Sequence, residues 1–221
     1  MRFESREHAG RLLAERLDPV RDEHPVVLGL TRGGMPVALE VARRLVAPLD
    51  LVVVRRIRAP SAPELSVGAV AEGGATFLNA TALRDAAIDR TRAAALAEDE
   101  VAELARRVRL YRGAGAAPRL EGRVVVVVDD FVVTGTTARA AARAAGLRGA
   151  ARVLLAVPAV AEGLEPELLA DFDEVIALEV SPHPRDAYTR LEEVTDEAAL
   201  ASLRRARVER AVEEIEPAAV S

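Results

Sequence analysis

The stretch Val124–Ala138, VVVVVDDFVVTGTTA, decides the fold. Five valines run into Asp129 and Asp130, and Thr134-Gly135-Thr136-Thr137 follows three residues later. An unbroken apolar run of this length, bounded by turn residues, reads as a parallel strand buried on both faces. The small, hydroxyl-rich turn opens a helix expected from about 136 to 145. Free N–H groups and the dipole at a helix start bind a phosphate dianion, and small residues let it come close. Two carboxylates cannot share that phosphate. They suit hydroxyl groups or a hydrated Mg²⁺ instead. A phosphate roughly five or six ångströms from vicinal hydroxyls describes a ribose 5-phosphate held at a helix start. Asp129-Asp130 as a solvated turn, with Thr136 as an ordinary N-cap, is the plainer reading. The buried strand directly before the pair weighs against it.

Outward from this stretch, apolar runs alternate with helical patterns. Strands are expected at 26–30, 49–57, 123–128, 151–158 and 173–180, and helices at 5–17 (Ser5 as N-cap), 37–46, 162–170 and 196–214. Residues 80–112 read as one or two Ala- and Arg-rich helices, and 113–118, GAGAAP, as a flexible link. The two prolines of RAPSAPELS, 58–66, imply a loop, and Gly73-Gly74 the turn of a hairpin. The expected fold class is therefore α/β, a mainly parallel central sheet flanked by helices. Ligands of such sheets bind at the carboxyl ends of strands. Two ends stand out: Thr31-Arg32-Gly33-Gly34 after the first strand, and the acidic pair.

Composition narrows the chemistry. The 221 residues suit one α/β domain. A net charge of −5 argues against a general nucleic-acid surface; LRRARVERA at 203–211 is a small basic candidate, but EEIE follows it, so a solvated helix is the reading. The chain has no Cys, so thiolate chemistry and disulfides are excluded, and three scattered His make a zinc site a poor fit. It also has no Lys, which removes Schiff-base catalysis and a phosphate-loop lysine. No apolar run reaches membrane-span length, and the N-terminus lacks the apolar block of a secretory signal, so a cytoplasmic protein is expected. Competing acidic motifs fail on detail. Haloacid-dehalogenase-type phosphatases need Asp-x-Asp, but Phe131 stands two places after Asp129, and response-regulator receivers need a Lys.

With its context, VVVVVDDFVVTGTTARAA resembles the phosphoribosyl pyrophosphate motif of type I phosphoribosyltransferases. VLGLTRGGMPVALEVARRL, VVVRRIRAPSAPELSVGAVAEGG and AGRLLAERL are similar to a bacterial branch of that family, from about residue 3 to 180 and again at EEVTDEAAL. The resemblance implies a single domain over 1–221, with its core at about 20–180 and hood elements at about 58–79 and 181–195. It implies that Asp129 and Asp130 hold the ribose hydroxyls and Mg²⁺. Phe131, Val132, Val133, Thr134, Gly135, Thr136 and Thr137 would form the sugar-phosphate turn. Thr31, Arg32, Gly33 and Gly34 would contact pyrophosphate, with Arg55 and Arg56 closing the second strand beside it.

The implied reaction is displacement of pyrophosphate at the ribose anomeric carbon by a small-molecule acceptor, nucleobase-like or a specialised metabolite. Members acting on 6-oxopurines carry an Asp before Thr-Gly; Val133 stands here, which disfavours hypoxanthine and guanine. Phe131 and Tyr188 are the candidates for stacking on a base, and Arg190 replaces a more usual acidic residue. His183 is a candidate base, though a lone loop His is more often a bystander. A possible homodimer is implied by the family alone. The alternatives are a phosphoribosyl hydrolase and a non-catalytic regulator of the pyrimidine-attenuation kind, binding phosphoribosyl pyrophosphate or nucleic acid.

Overall fold

The computed structural model describes residues 2–112 and 117–215. Most of the link read at 113–118 lies outside them, as do 216–221 and with them the end of EEIE. Helix α1 (Arg6–Arg16) begins at Ser5, whose hydroxyl accepts the amide of His8 at 3.2 Å, as an N-cap should. Strand β1 (Val26–Leu30) leads through the 31–33 turn into α2 (Gly34–Leu45), and β2 (Leu49–Val52) follows. Then come β3 (Val54–Ala59), β4 (Ala62–Ala71) and β5 (Thr76–Leu78), the helices α3 (Ala80–Asp85) and α4 (Arg90–Arg112), and β6 (Val124–Val128). The chain continues with α5 (Thr136–Leu147), β7 (Arg152–Ala161), α6 (Glu165–Leu168), β8 (Glu174–Ser181), a 3₁₀ turn at Pro184–Ala187 and α7 (Asp196–Ile215).

Five strands form one sheet in the order β2-β1-β6-β7-β8, every pair parallel. The five valines of β6 are buried at its centre. Helices α1, α2 and α7 pack on one side, while α5 fills the other together with the small sheet. Because strands in such a sheet point the same way, the ends of β1 and β6 open at the same edge, and their loops meet there.

Two expectations need correction. The strand read over 49–57 is two strands. The chain leaves the parallel sheet at Val53 and enters a separate antiparallel sheet, β3-β4-β5. Arg55 and Arg56 thus belong to β3 rather than to the end of the second core strand. The loop read over 58–66 is mostly strand: β3 and β4 turn at Pro60-Ser61. Pro63 is tolerated because the register slips between Arg58↔Ser66 and Ala59↔Ala62, and a bulge does not ask every residue for a ladder N–H. The hairpin with Gly73-Gly74 at its turn is present, both glycines at positive φ.

Candidate active site

The site is built on the carboxyl ends of β1 and β6. Its cleft encloses about 670 Å³, and its walls come from the 31–33 loop, β3, the 129–138 segment and residues 191–194. The pieces reach each other because two glycines leave room. A Cβ on Gly33 would collide with the Asp130 carboxylate, and one on Gly34 would stand 2.6 Å from the carbonyl oxygen of Val128. The RGG turn is therefore packed on the acidic pair itself, a sharper need than free access for a ligand. The peptide between Thr31 and Arg32 is cis.

Asp130 is buried and firmly held. Arg6 Nε donates to its Oδ2 at 2.8 Å, with Nη2 also at 2.8 Å, and the amide of Phe131 donates to Oδ1 at 3.0 Å. The hydroxyl of Tyr188 donates to its backbone carbonyl at 2.7 Å. Asp129 accepts the amide of Asp130 at 2.9 Å. Burial, and then the neighbouring Asp130 charge, push the Asp129 carboxyl well above the usual carboxylate range; Arg56 pulls it back only in part. A cation or a hydroxyl donor at Asp129 would relieve that cost.

Mg²⁺ favours carboxylate oxygens. Among the described residues no group of three or more His, Cys, Asp or Glu is gathered to hold a metal. The Asp129–Asp130 pair alone would have to share the ion with oxygens of a ligand and water, the usual way Mg²⁺ sits beside phosphates. The donor set fits.

The 134–137 turn lines the same cleft as the pair. Gly135 caps α5 at φ 66°, a conformation that favours glycine, and Leu168 fills the space where its Cβ would stand. Thr136 is buried, and its hydroxyl meets that of Thr134 at 3.1 Å. Thr134–Ala138 line the cleft. Val132 lines it as well, while its backbone is tied to β7 through Ala159 and Ala161. Val133 is 53% exposed and presents a neutral side chain.

Arginines supply the opposite wall. Arg32 Nη2 donates to Glu193 at 3.0 Å, and its Nε lies 3.9 Å from Asp196. Arg55 is paired with Glu100 of α4 at 2.8 Å. Neighbouring residues of a strand face opposite ways, and the Arg56 side chain has neither a hydrogen bond nor an ion pair among the described residues. The protein around Arg56, and then Arg58, hold its guanidinium below the ordinary arginine value, although it stays charged.

Tyr188 does not offer a stacking face. Its ring is 6% exposed and packs on Phe3, with centroids 5.3 Å apart. Burial and the nearby Asp130 push its hydroxyl up, so it remains a donor. Phe131 lines the cleft but is half-buried. His183 is exposed and is not part of the cleft. Sequence reasoning passed over Arg6, Arg58, Arg107 and Arg185, all in the cleft wall. Only Arg6 left a signal: a cation at the first helical position opposes the helix dipole and asks for another partner.

The phosphoribosyl transferase domain matches residues 4–185, the span that holds all of this cleft except the wall at 191–194. The chain belongs to that family. It is 42% identical over 176 residues to the Mycobacterium tuberculosis protein named "Putative phosphoribosyl transferase Rv0571c" and equally to its counterpart named MT0597 from a second strain. These alignments cover 80% of this chain and 40% of each relative, so the chain spans less than half the length of the curated relatives it matches. The crystal structure of TT1426 from Thermus thermophilus is 44% identical, with a TM-score of 0.76, over 92% of this chain and 98% of that one. The parallel sheet and the small antiparallel sheet are thus a phosphoribosyl transferase fold. Among the described residues no helix is long and apolar enough to cross a membrane.

Proposed function

We propose that this phosphoribosyl transferase domain moves the 5-phosphoribosyl group from phosphoribosyl pyrophosphate to a small acceptor, releasing pyrophosphate. One observation carries the reading: a single cleft brings together a helix-start phosphate turn, a restrained acidic pair and an arginine wall. Each matches one part of that donor. The amides and threonine hydroxyls at 134–137 bind the 5-phosphate. Asp129 and Asp130 orient the ribose hydroxyls. Arg32 and Arg56 meet the pyrophosphate, with Arg55 supporting from β3. Their own acidic partners, Glu193 and Glu100, are traded for phosphate oxygens.

The bond from the anomeric carbon to pyrophosphate breaks, and its electron pair leaves with pyrophosphate, while a bond to the acceptor forms. The sugar becomes cation-like on the way, so catalysis comes from positioning and from charge placed in advance. Asp129 and Asp130 would hold Mg²⁺ together with donor oxygens, and the ion would neutralise the departing charge.

Incubation with Mg²⁺ and phosphoribosyl pyrophosphate, with and without an acceptor panel, tests this through pyrophosphate release. Release that depends on an acceptor supports transfer. Release in water alone makes the protein a hydrolase. Binding with no release makes it a regulator, and no binding defeats the site assignment. Asp130→Asn should lower any release by about 100-fold or more, the scale of a lost positioning interaction.

A further inference from the structure

The cleft has two sides, and the donor reading uses only one of its free cations. In sheet order β6 stands between β2-β1 and β7-β8. Arg32, Arg55 and Arg56 come from the β1 side, on the loop after β1 and on β3, which continues β2. Arg185 comes from the other side, on the 3₁₀ turn that follows β8. It lines the cleft together with Phe131 and Leu191.

Most of the arginines around the cleft are already engaged. Arg6 holds Asp130, Arg32 holds Glu193, Arg55 holds Glu100, Arg107 holds Glu103, and Arg58 donates to the carbonyl of Pro63. The side chains of Arg56 and Arg185 have no hydrogen bond or ion pair among the described residues. Arg56 stands on the pyrophosphate side. Arg185 stands on the opposite side, across the acidic pair, where the incoming group must approach if it is to displace pyrophosphate from the far face of the sugar.

The rest of that side is poorly made for a neutral aromatic base. The Tyr188 ring is turned inward on Phe3. Phe131 is half-buried, and Val133 has no hydrogen-bonding group. A guanidinium offers a planar fork that suits carboxylate or phosphate oxygens. We propose that the acceptor carries an anionic group, carboxylate or phosphate, which Arg185 binds beside Phe131; this rests on the transferase reading above. The anion anchors the acceptor, and a nitrogen elsewhere on it attacks. The new C–N bond forms as the C–O bond to pyrophosphate breaks, and the nitrogen's proton passes to water.

The test uses acceptors in matched pairs that differ by one anionic group: uracil with orotate, aniline with 4-aminobenzoate, and ethanolamine with phosphoethanolamine. Pyrophosphate release is followed at saturating phosphoribosyl pyrophosphate and Mg²⁺, and binding of each acceptor is followed by calorimetry. The anionic member of at least one pair should react or bind ten-fold or more better than its neutral partner, and which pair responds tells carboxylate from phosphate. Arg185→Gln should raise KM for that acceptor about ten-fold, Arg185→Lys should recover part of the loss, and the Kd for phosphoribosyl pyrophosphate should change less than two-fold in both. Neutral members equal to or better than their partners, no preference in any pair, or an indifferent Arg185→Gln overturns the proposal while leaving the transferase reading in place. Failure of the wild-type protein to bind phosphoribosyl pyrophosphate defeats both.

Discussion

The floor of the cleft and its arginine wall are held by different kinds of interaction. On the floor, the Arg6–Asp130 pair has side chains 12% and 10% exposed, Tyr188 is buried, and two glycines lock the 31–34 turn against the aspartates. In the wall, Arg32 pairs with Glu193 at exposures of 36% and 79%. Exposed pairs of that kind contribute about 0–1 kcal/mol, whereas breaking a buried one by removing one partner costs about 3–5 kcal/mol. The floor is therefore set before any ligand arrives, and the wall can exchange its partners. That suits a donor whose ribose needs fixed geometry and whose phosphates need charge.

The sharpest way to break this contrast is Arg6→Ala. It strands the buried Asp130 carboxylate, so the loss should approach about 3 kcal/mol, read by denaturant unfolding, with weaker binding of phosphoribosyl pyrophosphate. A small change in the unfolding midpoint would mean that the floor is no firmer than the wall. Gly34→Ala comes next. Its methyl must push against Val128 and Asp129, and overpacking of this sort costs about 1–3 kcal/mol; thermal unfolding and pyrophosphate release should fall together. Tyr188→Phe removes only the hydroxyl that donates to Asp130, worth about 1 kcal/mol. It should weaken donor binding a few-fold and leave the order of preferred acceptors unchanged; a reshuffled order would return Tyr188 to the acceptor side. Glu193→Gln is the mildest. Stability should move by less than about 0.5 kcal/mol, as for other surface changes. Calorimetry should show tighter donor binding, since Arg32 no longer has a competing carboxylate.

Much of this was legible from residues alone where one local pattern had one structural meaning. Five valines can be buried on both faces only in the middle of a sheet, so β6 and its central place followed. The division at Val53 was hidden because β2 and β3 read as one apolar-to-basic run; the change of sheet is a tertiary event with no break in periodicity. Pro63 misled for a related reason, since a bulge that excuses a missing N–H depends on the partner strand. In the candidate site, the aspartates and the threonine turn lie within one short segment, so a motif could bring them together. Arg6 and Asp130 are 124 positions apart, and no spacing rule joins them. Tyr188 was expected to face an acceptor, but its direction is set by Phe3, 185 positions earlier in the chain.

The N-terminal segment has a practical meaning that follows from these contacts. Phe3 is buried under Tyr188 and exchanges backbone hydrogen bonds with Ala187 and Thr189, and three residues later Arg6 grips Asp130. The opening residues are thus a strut beneath the floor of the cleft. Trimming them, or fusing a bulky partner directly onto them, would disturb that floor as surely as a substitution in the cleft.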